Sequence, residues 1–492
     1  MSKRWIEAIC ILLLVFSTQA RSQSSSAEVV LTGEVTGAQN KTYFEIPFNV
    51  PAGTHRISVD FQYTGKEERA TLDLGVADPE RFRGQSGGNK SHFTIGEMDA
   101  TPSYLPGAIP VGQWRLLIAA PNIRPQTVSH YRAVVRFNAP DEDSSFTLHP
   151  LANGQRWYRG DLHMHTAHSD GSCPSQSGKT VPCPVFFTAQ AAAARGLDFI
   201  AITDHNGVSQ YNAMRELQPY FDRLLLIPGR EMTTFWGHFN IFGVTEFVDY
   251  RASAATGLDI DAILKDVRAK GGIASINHAD SPSGEDCMGC GWTPVTPVDP
   301  TLLAGVEVVN GGRILLSSAD FWDAQLAHGA RLAALSGSDN HNALAETGKP
   351  GSIGWLTTAV EADDLSVASI LEGIRRGRTF VDLTASHDKV IDLDATSTTA
   401  KARMGETLIA AKGSPLQIEA HVSACPWSKV HFFVDGKETA LLPALPIAGL
   451  DEYLHATWTS DGARHWIRAE VRDSNGSLML ISSPIYIDAS SH

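Results

Sequence analysis

The chain has 492 residues and a formal net charge of −14 at pH 7. That length is more than one hydrophobic core serves, so several domains are expected. The acidic balance excludes a grip on a nucleic-acid backbone, which needs a basic surface. It leaves open a phosphorylated small-molecule substrate, because bound cations supply positive charge locally.

The amino terminus reads Lys3-Arg4, an apolar run over residues 8–16, then Ser17-Thr18-Gln19-Ala20. A basic start, a short apolar core and a small residue at the end predict a secretory signal over residues 1–20. The run of nine apolar residues is too short to span a bilayer. No later stretch is long and apolar enough either, so no membrane span is expected. Cys10 precedes most of the run and is therefore no lipoprotein cysteine. The mature protein is expected to be exported, to a periplasm or beyond.

Residues 27–138 alternate apolar and polar side chains between Gly/Pro turns, as in Thr42-Tyr43-Phe44-Glu45-Ile46 and His55-Arg56-Ile57-Ser58-Val59. This pattern predicts a β-sandwich, with residues 138–143 as a linker behind it.

Residues 156–384 carry the chemistry. Asp161-Leu162-His163-Met164-His165 comes first, followed by Ser169-Asp170-Gly171. Thr203-Asp204-His205, Pro228-Gly229-Arg230-Glu231, Gly237-His238, Asn277-His278 and Ser338-Asp339-Asn340-His341 complete the series. Imidazole and carboxylate are what zinc, manganese and iron take from a protein. On a strand, His163 and His165 point to the same face and can grip one ion. The apolar runs 199–202, 224–227, 273–276 and 332–335 read as buried strands, each with members of the series just beyond it. Helical stretches at 184–195 and 260–270 lie between them, closed by Gly196 and Gly271-Gly272. Strand and helix alternate, which predicts parallel βα units and, on closure, a barrel with its ligands at the carboxyl ends of the strands. Taken singly, each motif has an ordinary reading: a structural histidine pair, an Asx turn at Asp204, an ion pair of Glu231 with Arg230. In order and at strand ends, they predict one metal site.

Two carboxylates, a histidine and an arginine near the series invite other roles. Asp161 and Asp204 would orient a histidine or bind an ion themselves. His168 shares the Asp170 loop and would serve as a proton donor or lie in solvent. Arg313, after the run 306–310 and Gly311-Gly312, would hold a substrate anion at the mouth or be a surface cation.

Five cysteines follow Ala20. Cys173 and Cys183 flank a Ser/Gly/Pro-rich insertion after Asp170, and in an exported protein they predict a disulfide over the site. Cys287-Met288-Gly289-Cys290 reads as half a zinc knuckle, a redox pair or a small loop disulfide. No second pair of that spacing exists, which favours the disulfide. Cys425 is left as a buried thiol. From 387 to 489 the alternation returns and predicts a second β-sandwich, immunoglobulin-like. The histidines there (His387, His421, His431, His455, His465) show no ligand spacing.

The region 156–383 resembles the polymerase and histidinol phosphatase (PHP) superfamily, and within it the carbaryl-hydrolase-like branch of metallohydrolases. The resemblance rests on five separated motifs in order and covers a little under half of the chain. It implies a distorted (β/α)7 barrel holding two or three divalent ions. By position it implies His163, His165, Glu231 and Asp339 on a first ion, and Glu231 bridging to a second completed by His238 and His278. Asp170, His205 and His341 match a third site. Where family members often have a proline after the histidine at position 278, Ala279-Asp280 stand here.

The expected activity is hydrolysis by a water that the ions activate, with Glu231 and Asp339 at its centre and His168 or His341 as candidate acid. A phosphoester, mono- or diester, is the first expectation, since a third ion suits three phosphoryl oxygens. Carbamate, ester or amide hydrolysis is the second. A non-catalytic metal-bound or polymer-binding protein is a third, against which every ligand position is present.

Overall fold

The structure is a computed structural model and describes residues 28–139, 145–285, 287–312, 316–442 and 446–489. The signal expected at residues 1–20, most of the 138–143 linker and Arg313 lie outside them.

Residues 28–137 form two four-stranded antiparallel sheets. One runs β1 (Glu28–Thr36), β8 (Val128–Phe137), β3 (Arg56–Tyr63), β6 (His92–Gly96). The other runs β2 (Thr42–Val50), β7 (Gly112–Asn122), β4 (Thr71–Ala77), β5 (Phe82–Ser86). Side chains alternate across each strand, so Ile57, Val59 and Phe61 from the first share one core with Leu74, Val76, Leu116 and Ile118 from the second.

The central region is built on a mixed sheet. β9 (Asn153–Asp161), β12 (Phe199–Ile202) and β13 (Leu225–Thr234) are parallel, with the small hairpin β10 (Ser172–Pro174) and β11 (Thr180–Pro182) between the first two in sequence. β14 (Gly237–Phe242) folds straight back on β13 and is antiparallel to it and to β15 (Ile273–Ile276). β15, β16 (Gly305–Asn310) and β18 (Ala333–Gly337) are parallel again, and β17 (Leu316–Ser317) pairs antiparallel with β16. On the other side of β9 lie β19 (Thr357–Asp364) and β20 (Thr379–Asp382), both antiparallel. From β20 the sheet continues through Leu478–Ser482 and His465–Arg472 to Lys429–Val434.

The expected (β/α)7 barrel is therefore corrected. Strand makes up 43% of the chain and helix only 12%, too little for a helix to follow each strand. The described helices are α1 (Val185–Ala194), α2 (Gln210–Leu217), α3 (Ile260–Ala269), α4 (Ala319–Ala327) and α5 (Val367–Arg375). Five of the strand pairings are antiparallel where a barrel needs a crossover, and the hairpin β13–β14 leaves only Phe235 and Trp236 between its strands. The ladder also does not close at β18. Its free edge is capped by hydroxyls: Thr358 Oγ1 accepts from Ser336 N at 2.8 Å and donates to Ser336 O at 3.1 Å. Thr379 Oγ1 donates to Ala334 O at 2.9 Å, and Ala334 N donates to Ser483 Oγ at 2.9 Å. Side chains thus satisfy main-chain groups that a neighbouring strand would otherwise pair. Runs such as Phe199–Ile202, buried on every residue, look the same in sequence whatever the direction of their neighbours.

A four-stranded antiparallel sheet, ordered Lys401–Arg403, Val390–Thr396, Pro415–Ser423 and Asp451–Thr459, covers the far end. It shares a core of Ile391, Leu393, Ile418, Ile467 and Val471 with the continuing strands of the large sheet. Buried ion pairs fix both flanks on the centre. Asp99, fully buried in the loop after β6, meets Arg56 on β3 and Arg215 on α2. Arg468 meets Asp323 on α4 at 2.8 Å. Such pairs set orientation more than they add stability.

Candidate metal centre

The side chains scattered over 181 positions of sequence, Asp161 to His341, arrive together at one end of the central sheet. β9 ends at Asp161, and His163 and His165 follow, with Met164 bridged in parallel to Asn340. His205 lies past β12 and is bridged in parallel to Glu231. Glu231 itself sits inside β13, which runs on to Thr234 rather than stopping at the apolar run. His238 is on β14, while His278 follows β15 and Asp339 and His341 follow β18. The close approach of β18 to the His163 turn requires Gly337, where a Cβ would lie 2.2 Å from that of His163. His278 and Asp339 have φ of 26° and 50°, a left-handed backbone that costs a non-glycine residue energy and gathers at functional sites.

Glu231 is the hub. Its Oε1 lies 3.2 Å from His278 Nε2, 3.3 Å from His238 Nδ1 and 3.5 Å from His163 Nε2. Its Oε2 lies 2.8 Å from His205 Nδ1 and 3.7 Å from His165 Nε2. Asp339 Oδ1 completes the first pair, 3.1 Å from His165 Nε2 and 3.4 Å from His163 Nε2. Further out, Asp170 Oδ1 is 3.4 Å from His341 Nε2, 3.6 Å from His205 Nε2 and 4.0 Å from His165 Nδ1. Three donor groups result whose atoms lie within 4.8 Å of one another: His163/Glu231/His278, His163/His165/Asp339 and His165/Asp170/His205/His341.

The charges explain one another. Burial opposes ionisation of Glu231, but His163, His205 and His238 outweigh it and hold the carboxyl well below its usual range. Burial likewise opposes ionisation of Asp339, which His163, His165 and His278 hold low. His163 is pushed well above the ordinary imidazole value: burial works against it, and Glu307, Asp339 and Glu231 prevail. His165 goes the other way, lowered by its burial and by His205 and His341. Protons on histidines here balance carboxylates, a task that cations perform equally.

Fit to a cation can be tested on His163. Its Nε2 is buried without a hydrogen-bond partner and faces two carboxylate oxygens. Its Nδ1 is held by Glu307 Oε1 at 2.8 Å. A ring fixed by a carboxylate through one nitrogen, with the other bare and aimed at acids, is the arrangement of a metal-binding histidine. The nitrogen and oxygen donors suit zinc, manganese or iron.

The remaining expected residues fall in different places. Asp161 is fully buried but touches no imidazole; it accepts the backbone N–H groups of Ser338 at 2.9 Å, Gly354 at 3.0 Å and His163 at 3.3 Å. It ties the end of β9 to the end of β18. Asp204 accepts from Ser169 Oγ at 2.6 Å and from Thr166 N and Oγ1 at 2.7 Å each, shaping the loop that carries Asp170. The ring contact of His168 is Ser209 Oγ at 2.7 Å, outside the donor groups. Two further residues take part in roles that local sequence does not announce. Glu307 is an acid in the middle of β16, a strand buried throughout; an acid amid Val306, Val308 and Val309 was the available signal. Asn277 Nδ2 donates to Glu231 Oε1 at 3.0 Å.

Cys173 and Cys183 form a disulfide across the β10–β11 hairpin. Gly171 O, next to Asp170, accepts from Cys183 N at 2.9 Å, so the bridge braces the Asp170 loop. Cys287 pairs with Cys290 beside His238. Cys425 is buried and free, its thiol pushed up to about 11 by burial.

No family model matches the chain, and no curated protein does. Among solved structures it is similar to a two-domain protein from Bacteroides vulgatus containing a predicted PHP-like metal-dependent phosphoesterase. That match has 17% identity and a TM-score of 0.38 over 68% of this chain and 96% of the other. It is also similar to PliG of Aeromonas hydrophila, a periplasmic inhibitor of g-type lysozyme, at 12% identity and a TM-score of 0.16 over 23% of this chain and 89% of the other. PliG of Salmonella Typhimurium matches at 11% identity and a TM-score of 0.14 over 23% and 91%.

Proposed function

We propose that the chain is an exported hydrolase working with two or three divalent ions, zinc, manganese or iron, and that it cleaves phosphoesters. One observation carries the reading: buried Glu231 turns Oε1 toward His238 and His278 and Oε2 toward His165 and His205, while His163 Nε2 lies between the two groups, 3.5 Å from Glu231 Oε1 and 3.4 Å from Asp339 Oδ1. A carboxylate so placed spans two cation positions. His163, His165, Glu231 and Asp339 would hold the first ion, Glu231, His238 and His278 the second, and Asp170, His205 and His341 a third. Ions bound there supply an acidified water and neutralise charge that develops in the transition state. Glu307 and Asn277 keep His163 and Glu231 aimed inward, and Asp161 and Asp204 hold the loops that carry the donors. The outer donor group supports the phosphoester reading, because Asp170 and His341, half-exposed, would take a cation where phosphoryl oxygens can reach it. Export is inferred from residues 1–20 and supported by the Cys173–Cys183 bridge. Among the described residues no helix is long and apolar enough to cross a membrane.

Hydrolysis of a carbamate, ester or amide is the second reading. It is favoured by the apolar rim beside His238, where Phe235, Trp236 and Met288 are exposed and would take an aryl or alkyl group. The test is hydrolysis by purified, metal-reconstituted protein of aryl phosphate mono- and diesters beside aryl esters and carbamates. Phosphoester turnover that vanishes with chelator supports the first reading. A wide preference for the carbamate reverses the order, and no metal-dependent turnover on any of them removes both.

A further inference from the structure

We propose that His238, Cys287 and Cys290 form a second kind of metal site, a thiolate–imidazole site that opens when the Cys287–Cys290 disulfide is reduced. The proposal stands on these three residues and holds whether or not the wider cluster is hydrolytic.

Their ligand atoms all lie within 4.8 Å of one another. Cys290 Sγ is 3.9 Å from His238 Nδ1. His238 and Cys290 are buried and Cys287 is half-buried, so an ion held between them would be largely withdrawn from water. Two cysteine sulfurs and one imidazole are a zinc-type donor set with a fourth position left open.

What makes the site more than a staple is that contacts other than the sulfur–sulfur bond also hold its loop. Gly289 is pressed on the β13–β14 turn so closely that a Cβ would lie 2.3 Å from Thr234 O, and its φ of 77° suits glycine. Trp292 covers Gly237, where a Cβ would lie 2.6 Å from the indole, and meets Phe239 edge to face at 6.1 Å. Trp292 N donates to Ala279 O at 3.0 Å and Thr293 N to Trp236 O at 2.8 Å. Met288 O lies 3.3 Å from His238 Nε2. These contacts hold the loop between the cysteines and just after Cys290, which keeps the sulfurs beside His238 when the bond between them is cut.

The chemistry balances with a dithiol as reductant. Its two thiols attack the disulfide in turn, becoming a cyclic disulfide, and their two protons pass to Cys287 and Cys290. A divalent cation then displaces those protons and is held by two thiolates and the His238 ring. Because His238 Nδ1 also lies 3.3 Å from Glu231 Oε1, the thiolates compete for a ring that the Glu231 cluster uses, and the redox state of the loop would reset the inner metal centre.

The probe is cobalt(II) alone, added to the full-length, metal-free protein either as purified or after reduction with a dithiol and anaerobic desalting. Alkylation and mass spectrometry establish which cysteines are free. We expect a sulfur-to-cobalt charge-transfer band in the near ultraviolet only in the reduced sample, saturating at one ion per chain and abolished by reoxidation. Cys290→Ser should remove the band while cobalt bound by histidine and carboxylate persists. Glu231→Gln should keep it, which separates this site from the hydrolytic one. Reduced protein with Cys287 and Cys290 mapped as free thiols but no band overturns the proposal, as does a band that survives in the Cys287→Ser/Cys290→Ser variant. The comparison of the two redox states of the wild type needs no variant to fold.

Discussion

His163 and Glu307 meet through a hydrogen bond of 2.8 Å between Nδ1 and Oε1, across 144 positions of sequence. The same carboxylate accepts from the His278 backbone N–H at 3.1 Å and from Asn310 Nδ2 at 3.0 Å through its other oxygen. One buried acid therefore sets the tautomer of one metal-type histidine and the backbone of another.

Replacing Glu307 by glutamine keeps the shape and removes the charge. Metal affinity should fall by about 10–100-fold, the usual effect of losing a carboxylate behind a ligand histidine. Titration with a competing chelator measures it, and circular dichroism should be unchanged. An unaltered affinity would mean that Glu307 serves packing alone.

Glu231→Ala should be the most damaging single change, since it removes a donor from two positions at once. We expect kcat/KM to drop by about a thousandfold or more, as for the loss of a major transition-state electrostatic group, with metal content reduced by at least one ion per chain in elemental analysis. Near-full activity in this variant would rule out the bridging role.

Asp170→Ala separates the two chemistries. With a phosphoester substrate, turnover should fall by about a hundredfold or more, because a cation that clamps the phosphoryl oxygens is lost. With a carbonyl substrate the inner donors suffice, and turnover should be largely spared. The measurement is kcat/KM on a matched aryl phosphate and aryl carbamate for wild type and variant.

The metal-free protein should weaken with rising pH. Burial opposes protonation of His341, but Asp170 and Asp339 raise it to about 9 from an ordinary 6.5. A group whose pKa is higher folded than unfolded adds stability below its unfolded value and loses it as pH climbs through the folded one. The melting temperature of the metal-free chain should therefore decline between pH 6.5 and 9, and His341→Gln should flatten that decline. The metal-loaded protein should show the opposite trend, since ligands must shed protons to bind. Parallel melting curves for the two forms would count against a metal at His341.

Breaking the Cys173–Cys183 bridge by a double serine substitution should cost about 2–3 kcal/mol, the loop-closure value for so short a separation. Denaturant melts measure it, and peptide mapping without reduction should find the two cysteines linked in the wild type.

The sequence by itself determined which residues could do chemistry. His163, His165, Glu231 and Asp339 were legible because polar donors beyond apolar runs have little other reason to be there. The Cys173–Cys183 pairing was legible from spacing and the expectation of export. Tertiary structure alone decided the rest. Hydrophobic runs specify burial but not the direction of the neighbouring strand, so a mixed sheet with a β13–β14 hairpin replaced the expected barrel. Glu307 stands out in sequence only as an acid within an apolar strand, and the histidine that gives it a role lies 144 positions away, where local sequence carries no trace of it. Asp161, read as an acid for histidine rings or ions, instead holds backbone N–H groups, a choice made by the packing of β9 against β18. Periodicity and spacing report what a residue is and roughly how deep it lies; which atoms it meets is fixed only when distant strands are brought side by side.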